Sequence, residues 1–140
     1  YADTIQAWSG DDVISGAGGA DELHGQDGDD VLAGGRGRDA LTGGLGADRF
    51  VVSSARGRDV ITDFHASEGD RIDLSAIDAV AGGADDAFRI VDAFSGAAGE
   101  LMVVSGRRAW TLLGDLDGDL QPNFQVTVHG PSLGAGDLIL

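Results

Sequence analysis

Neither cysteine nor lysine occurs in this chain of 140 residues, whose nine basic residues are all arginines. Without cysteine, disulfide bonds and thiolate metal sites are excluded. An extracellular protein of this kind therefore needs another source of stability, such as a metal ion bound through oxygen. No apolar run approaches the roughly 18 residues of a transmembrane helix, which predicts no membrane span. No signal peptide opens the chain, so we expect it to be the C-terminal part of a longer protein.

The sequence also lacks the patterns of a catalytic site. The zinc protease motif HExxH is absent, and His24, His65 and His129 are far apart, with no carboxylate at ligand spacing. Ser132 lies in a GxSxG pattern, but a nucleophile there needs a following helix and a downstream histidine, and neither follows. The sequence therefore predicts a non-catalytic module, and a catalytic domain remains the less favoured alternative.

The charge balance is strongly acidic, with a net charge of -15 and a pI near 4.1. Such a surface argues against nucleic acid or an anionic membrane as a partner and favours cations. Glu22, Glu68 and Glu100 are the only glutamates, so aspartate supplies nearly all of the 24 acidic residues. Aspartate is the acid of turns and of oxygen ligation to metals rather than of helices.

A nine-residue repeat runs from residue 7 to residue 51 in five copies, after a truncated copy over residues 1–6. An aspartate occupies the sixth position of every copy: Asp3, Asp12, Asp21, Asp30, Asp39 and Asp48. A large apolar residue follows two places later each time: Ile5, Ile14, Leu23, Leu32, Leu41 and Phe50. A solvated acidic surface would not keep this strict register, so the repeat indicates a structural unit.

Each repeat combines about six residues rich in Gly and Asp, which suit a tight turn, with three residues that suit a short strand. A single buried apolar side chain per strand cannot make a core, but stacked repeats can. If two repeats form one coil and coils stack as parallel strands about 4.8 Å apart, loops separated by 18 residues lie directly over one another. Asp3, Asp21 and Asp39 then share one edge, and Asp12, Asp30 and Asp48 share the other.

Stacked carboxylates repel one another unless protons or cations neutralise them. Calcium is the cation that fits, because it takes six to eight oxygen ligands and the turns offer backbone carbonyls beside each aspartate. We therefore predict several calcium ions, about four or more, bound by the six repeat aspartates. The predicted glycine ligands are Gly10, Gly19, Gly28, Gly35, Gly37, Gly44 and Gly46.

These repeats resemble those of the RTX (repeats-in-toxin) family, whose nonapeptide is GGxGxDxUx. Ala7 and Trp8 replace the glycine pair in the first full copy, and Ala17 and Gln26 replace the second glycine in the next two. The resemblance implies a calcium-bound, right-handed parallel β-roll.

Beyond Val51 the period lengthens, yet the Asp-x-apolar signature recurs at Asp59 and at Asp70 with two extra residues each time. We interpret these as degenerate coils that close the roll, with Asp59 and Asp70 as further calcium ligands. For Asp70 and Asp73 an ordinary role at a strand edge is an equal alternative.

The rest of the chain predicts short strands. A helical turn capped by Ser75 is expected over residues 74–78, followed by a loop over 79–87. Strands are predicted over 88–91, 101–104, 109–113 and 124–128, with a hairpin turn at 105–107. We expect a largely antiparallel β cap that covers the open end of the roll, since an exposed sheet edge invites aggregation.

This second half resembles the C-terminal region of serralysin-type secreted metalloproteases, in the segments RDVITDFHASEGDRIDLSAID, FSGAAGEL and GDLDGDLQPNFQVTVHG. The resemblance implies a type I secretion signal, an exporter as partner and an upstream catalytic domain in the parent chain, such as a zinc metalloprotease. The ending from Asp137 to Leu140, one acid and three apolar residues, fits that family. The resemblance also implies a secreted bacterial protein without a cleaved signal.

A second acidic pattern spans Asp115, Asp117 and Asp119, followed by Asn123. The spacing is that of a calcium loop, but Leu120 stands where an EF-hand needs glycine, which excludes an EF-hand. A looser calcium loop and a solvated hairpin tip both remain open.

The sequence thus predicts an all-β chain with a parallel β-roll over residues 1–62 and a β cap carrying the secretion signal over 63–140. The predicted function is a calcium-binding RTX module that folds on binding calcium after type I secretion and assists export of a larger protein. The alternative is a calcium-dependent surface-layer or polysaccharide-binding module, in which Trp8 and Trp110 would stack on sugar.

Overall fold

The computed structural model describes residues 1–77 and 87–140. Within them the chain forms strands and one 3-10 helix, Ala135–Asp137. The strands are β1 (Thr4–Gln6), β2 (Val13–Ser15), β3 (Gly18–Gly19), β4 (Glu22–Asp27), β5 (Val31–Ala33), β6 (Arg36–Gly37), β7 (Ala40–Leu45), β8 (Arg49–Val51), β9 (Arg58–Ile61), β10 (Arg71–Asp73), β11 (Arg89–Val91), β12 (Glu100–Ser105), β13 (Trp110–Asp115), β14 (Phe124–Val128) and β15 (Leu138–Ile139). No helix of the described residues is long and apolar enough to cross a bilayer.

The repeats stack as parallel strands with the predicted offset. Strand β1 pairs with β4 and β4 with β7, so that Thr4 lies beside Glu22 and Glu22 beside Ala40. On the opposite side of the roll, β2 pairs with β5 and β5 with β8 in the same way. Two nine-residue repeats therefore make one coil, and the prediction of a parallel β-roll is confirmed.

The core of the roll lies between these two parallel stacks. Strands β2 and β5 each bury the central side chain while the flanking side chains point outward, which is the alternation expected of a strand. The buried ladder consists of Ile14, Leu23, Leu32, Leu41, Phe50, Ile61 and Ile72. One large apolar residue per nine is enough because coils on both sides cover it.

The last coils of the roll are longer than the first. The aspartate that stacks on Asp39 is Asp59, 20 residues later, and the one that stacks on Asp48 is Asp70, 22 residues later. Ala40 still pairs with Val60, and Arg49 still pairs with Arg71. The extra residues therefore lie in the loops, and the strands keep their register.

The C-terminal part continues both stacks of the roll. Strand β14 pairs in parallel with β9, and β12, β13 and β14 form an antiparallel meander beyond it, with β11 parallel to β12 at the far edge. Strand β15 pairs in parallel with β10 and closes the second stack. The predicted β cap is confirmed, and its strands occupy the edges that β9 and β10 would otherwise expose.

The helical turn predicted over residues 74–78 is not a helix in the described residues. The Ile77 N–H donates to the Leu74 carbonyl in a single turn, with 2.9 Å between nitrogen and oxygen. Ser75 does not cap it, because its own N–H and hydroxyl both donate to Asp73 Oδ1. Residues 78–86, which include most of the predicted loop, lie outside the described residues.

Candidate metal centre

The structure places the predicted aspartates in two rows, one along each edge of the roll. The first row is Asp3, Asp21, Asp39 and Asp59, and the second row is Asp12, Asp30, Asp48 and Asp70. Seven of these residues end a turn just before a strand, and Asp59 is the second residue of β9, so the strand register fixes each position. Within each row, Oδ1 of one aspartate accepts a hydrogen bond from the backbone N–H of the aspartate one coil earlier, at 2.8 to 3.1 Å.

The second carboxylate oxygen is buried and unpaired at four of these residues. Oδ2 of Asp21, Asp30, Asp39 and Asp48 accepts no hydrogen bond from any described residue, and the side chains are at most 2% exposed. A buried ionised carboxylate is costly unless another group or a cation compensates its charge. The rows therefore present oxygens whose charge the described protein groups leave uncompensated.

The glycine at the first position of each repeat makes room beside that oxygen. A Cβ atom added to Gly16, Gly25, Gly34 or Gly43 would lie 2.1 to 2.5 Å from Oδ2 of the aspartate five residues later. These glycines do not have positive φ, so it is space and not backbone conformation that excludes a side chain. Sequence reasoning left them out of the site, although their recurrence at the same repeat position could have revealed them.

Backbone oxygen also borders this space. The same added Cβ at Gly16 would lie 2.8 Å from the Gly34 carbonyl oxygen, and at Gly25 it would lie 2.6 Å from that of Gly43. These two cradles thus lie beside a carboxylate oxygen of one coil and a carbonyl oxygen of the next. An all-oxygen donor set of this kind suits a hard cation such as calcium.

The turns hold a left-handed backbone even where the repeat lacks its second glycine. Gly35 and Gly44 have φ of 92° and 109°, and Ala17 and Gln26 at the equivalent position have φ of 65° and 82°. A Cβ at Gly35 would lie 2.3 Å from the Ala17 carbonyl oxygen of the coil before, so glycine is required there by contact as well. At these two positions the departures from the repeat therefore keep the left-handed backbone.

Burial makes these carboxyl groups hard to ionise. Desolvation raises the pKa of Asp48 to about 6, an effect that the hydrogen bond from Asp30 offsets in part and the charges of Asp70, Asp30 and Asp63 increase. Desolvation, with a smaller contribution from Asp39, likewise raises the pKa of Asp59 to about 6. Desolvation also raises the pKa of Asp39 and of Asp70. A bound cation would remove this penalty by compensating the charge.

The later acids differ from the repeat aspartates. Asp70 Oδ1 accepts from the Asp48 N–H, but its Oδ2 accepts from the His65 N–H at 2.8 Å, so both oxygens have protein donors. Asp73 lies outside the row and pairs with Arg49 and Ser75. Burial would raise the pKa of Asp73, but the Ser75 hydroxyl and Arg49 outweigh it and lower that pKa.

Further carboxylates that sequence reasoning missed lie beside the second row. Asp63 accepts from the N–H groups of Gly43 and Gly44, both at 2.9 Å. Asp11 Oδ1 accepts from the Asp29 N–H at 2.9 Å, and Asp29 accepts in turn from Ala47. Asp63 falls in a lengthened coil, outside the nine-residue period, so the repeat alone could not identify it.

The acidic hairpin loop brings its three predicted aspartates together. Carboxylate oxygens of Asp115, Asp117 and Asp119 lie within 4.8 Å of one another. Asp115 is buried, and it accepts from the N–H groups of Gly118 at 2.8 Å and Leu120 at 3.1 Å. Backbone N–H groups of the loop thus already donate to Asp115. The geometry is compatible with a calcium loop and with a solvated hairpin tip.

Two solved structures share this fold. The AlgE6R3 subunit of the mannuronan C5-epimerase of Azotobacter vinelandii is 30% identical, with a TM-score of 0.65, over 99% of this chain and 77% of that one. The AlgE6R2 subunit of the mannuronan C5-epimerase of the same organism is 26% identical, with a TM-score of 0.67, over 98% of this chain and 91% of that one. No curated protein matches the sequence.

The family comparison covers almost the whole chain. A family model described as Peptidase M10 serralysin C terminal matches residues 7–140. The match includes all five full repeats, both lengthened coils and the C-terminal strands. The protein belongs to the serralysin C-terminal family, an RTX-type β-roll module.

Proposed function

We propose that this module binds calcium along both edges of its roll and folds as it binds, after export from the cell. The observation that carries the proposal is the set of four buried, unpaired Oδ2 atoms, each beside a glycine that leaves no room for a side chain. Carbonyl oxygen also borders this space at Gly16 and Gly25. Calcium supplies the positive charge and takes the six to eight oxygens that such turns offer. About four or more ions are expected, one for each stacked pair of loops in the repeat region.

The proposed ligands are the aspartates of both rows and the turn glycines through their carbonyls. The glycines are those at the second and fourth repeat positions, Gly10, Gly19, Gly28, Gly35, Gly37, Gly44 and Gly46, together with the first-position glycines Gly16, Gly25, Gly34 and Gly43. Asp59 extends the first row. Asp70 extends the second row, and its Oδ1 also accepts the hydrogen bond from the Asp48 N–H. Asp115, Asp117 and Asp119 form a weaker candidate, because donors within the loop already occupy Asp115.

Carboxylate repulsion couples binding to folding. Without a cation, each stacked pair of ionised aspartates costs on the order of 1 to 4 kcal/mol, depending on the local dielectric. A domain of this size has only about 5 to 15 kcal/mol of net stability. The calcium-poor cytosol would therefore keep the chain open, and calcium outside the cell would supply binding free energy that becomes folding free energy.

The position of the C-terminal residues in the folded sheet is an argument for export before folding. Leu138 is buried and β15 pairs with β10, so the tail from Asp137 to Leu140 is part of the folded sheet. The Leu74 N–H also donates to the Ile139 carbonyl at 2.8 Å. An exporter that recognises this tail would reach it only while the chain is unfolded. The upstream catalytic domain of the parent protein would be carried by the same signal.

Calcium binding is tested directly by titration. Isothermal titration calorimetry on the chain, starting from chelator-treated protein, should show several saturable sites and no comparable response to magnesium, which demands tighter octahedral geometry. Absence of saturable calcium binding up to about 10 mM, above the range of extracellular modules, would overturn the proposal.

A polysaccharide-binding role is the second candidate, and one observation favours it. Trp8 is 75% exposed on the first coil, where an aromatic ring could stack on a sugar. Trp110 is less suited, because it packs against the core. Loss of binding to a glycan array on Trp8→Ala, with the calcium response unchanged, would support this role; an array with no hits for the wild type would exclude it.

A further inference from the structure

A cavity of about 480 Å³ opens on the first-row edge of the roll, between the turns that end at Asp39 and Asp59. It is lined by Arg36, Gly37, Ser53, Ser54, Ala55 and Arg56. One wall is the turn that carries strand β6, and the other is the loop that leads to β9. The cavity therefore lies between two adjacent coils.

Coil register brings the two arginines to the same cavity. Arg36 and Arg56 occupy equivalent places before Asp39 and Asp59, whose coils are offset by 20 residues. The coils of the perfect repeats are offset by 18 residues. The longer loop provides the two serines that line the cavity, while the arginines stay stacked.

The charges at this cavity are unusual for the molecule. The chain has a net charge of -15 and only nine basic residues. Among the described residues, Arg49, Arg71 and Arg89 each form an ion pair with a carboxylate, whereas Arg36 and Arg56 are exposed and form none. In so acidic a protein, two arginines that share a cavity without a carboxylate partner are not explained by stabilisation of the fold.

The positive surface extends past the cavity. Arg38 and Arg58 lie two residues farther along the same two turns, and both are exposed without an ion pair in the described part of the chain. Four exposed arginines therefore lie along these two turns. The second-row edge has the opposite character, because Asp11, Asp29 and Asp63 flank it.

We propose that this cavity, which we call the arginine cleft, binds an oxyanion group of a ligand, either a carboxylate or a tetrahedral sulfate or phosphate. The guanidinium groups of Arg36 and Arg56 would donate paired hydrogen bonds to its oxygens, since guanidinium geometry matches these anions. The hydroxyls of Ser53 and Ser54 supply further donors at the cavity wall. Among the residues that the structure describes, no carboxylate lines the cleft to repel the anion.

The test uses the chain saturated with calcium, so that the proposed calcium ligands on the same turns, including Gly37, are occupied throughout the titration. The probes are sodium sulfate, for a tetrahedral dianion, and sodium glucuronate, for a carboxylate, each added at constant ionic strength. Arginine side-chain Nε–H signals are followed by ¹H–¹⁵N NMR. Saturable shifts at Arg36 and Arg56 are expected for at least one probe, and the probe that saturates at lower concentration identifies the class of anion.

Matched variants separate the cleft from general charge attraction. Arg36→Gln and Arg56→Gln should each weaken binding by roughly tenfold or more, since each removes charge-assisted hydrogen bonds. Arg107→Gln, at the exposed hairpin turn, should leave binding unchanged. Circular dichroism in calcium confirms that all three variants fold. Equal shifts at Arg107, equal losses in all variants, or no saturable shift with either probe would overturn the proposal.

Discussion

Glycine in this repeat meets two different physical requirements, depending on its position. At the second and fourth positions the backbone has positive φ, as at Gly35 and Gly37, and glycine adopts it without a steric cost. At the first position φ is ordinary, and glycine is needed because a side chain would occupy the space beside Asp Oδ2. Alanine occurs at the second position as Ala17, whereas at Gly35 a Cβ would also lie 2.3 Å from the Ala17 carbonyl oxygen.

Gly43→Ala tests the requirement for space. The new Cβ would lie 2.1 Å from Asp48 Oδ2, so we expect the calcium midpoint to rise and the folded state to lose about 1 to 3 kcal/mol through overpacking. Calorimetry should also count fewer ions bound. Gly136→Ala is the matched control, since a Cβ there has no atom within 4 Å. Unchanged calcium binding in Gly43→Ala would show that the cradle is not a metal site.

Removing the charge of a single aspartate should hinder folding in the presence of calcium and favour it in the absence of calcium. Asn at position 30 keeps an oxygen that accepts from the Asp12 N–H but removes one buried charge. Asp30→Asn should raise the calcium midpoint, and in chelator it should bring the chain closer to folding, because less repulsion remains. Asp3→Asn should do less of both, since Asp3 is exposed and contacts a coil on one side only. Circular dichroism during calcium titration measures both effects, and a lower midpoint in Asp30→Asn would contradict the assignment.

Protons should replace calcium in part. The folded state raises the pKa of Asp48 and Asp59 from 3.8 to about 6, so it binds protons more tightly than the unfolded chain does. In chelator, the free energy of unfolding should therefore increase as the pH falls from 7 toward 5 and decrease as the pH rises through 6. The charges of Asp70, Asp30 and Asp63 act on Asp48, and that of Asp39 acts on Asp59, and each adds to the raised pKa of the carboxyl group it faces.

The measurement is far-UV circular dichroism of the calcium-free chain between pH 7 and pH 5. The range stops there because Asp73 and Glu100 have lowered pKa values and would lose their ion pairs in stronger acid. In millimolar calcium the dependence should reverse, because protons compete with the metal for the same carboxylates. A calcium-free chain that loses β structure on mild acidification would refute the expectation.

At the scale of strands and loops, the period of the sequence carries most of the fold. One apolar residue per repeat, as at Leu32, and an aspartate before the strand fix the register of β1, β2, β4, β5, β7 and β8 before any tertiary contact is considered. The pairing of β14 with β9 could not be predicted, because it joins segments far apart in sequence and β14 has no repeat to mark its partner. Ser75 was assigned the wrong role because the stronger acceptor, Asp73, lies two residues before it.

Strand β15 combines a packing role with the proposed export signal, and a deletion of residues 137–140 separates this signal from calcium binding. Secretion through a type I exporter should fall sharply, while the calcium midpoint should change little because no row aspartate lies in the deleted segment. Intracellular protein level is the control for expression. Secretion at the wild-type level would contradict the role of the tail, and a large rise in the calcium midpoint would show that β15 supports the sites through β10.

For the whole molecule, the continuity of the larger sheet sets how cooperative folding must be. Eight strands run from β1 through β9 and β14 to β11 without a break, although they come from both the roll and the cap. The core is continuous as well, since Leu41 and Ile61 of the roll and Leu112 and Val126 of the cap belong to one cluster. Calcium bound at the edges of the roll should therefore stabilise strands that contain none of its ligands.

The last prediction is that roll and cap fold together as calcium rises. In excess chelator the chain should lack most of its β structure, and calcium should restore it in one cooperative transition in the range of about 10⁻⁴ to 10⁻³ M. A Trp8→Phe variant leaves Trp110 of strand β13 as the only tryptophan, so its fluorescence reports on the cap. Circular dichroism reports on the strands of the whole chain. The two midpoints should coincide, because β14 joins the meander to β9. A cap that keeps its fluorescence signal in chelator while the rest of the chain unfolds would show that residues 63–140 fold alone, and an unchanged β spectrum in chelator would separate folding from calcium altogether.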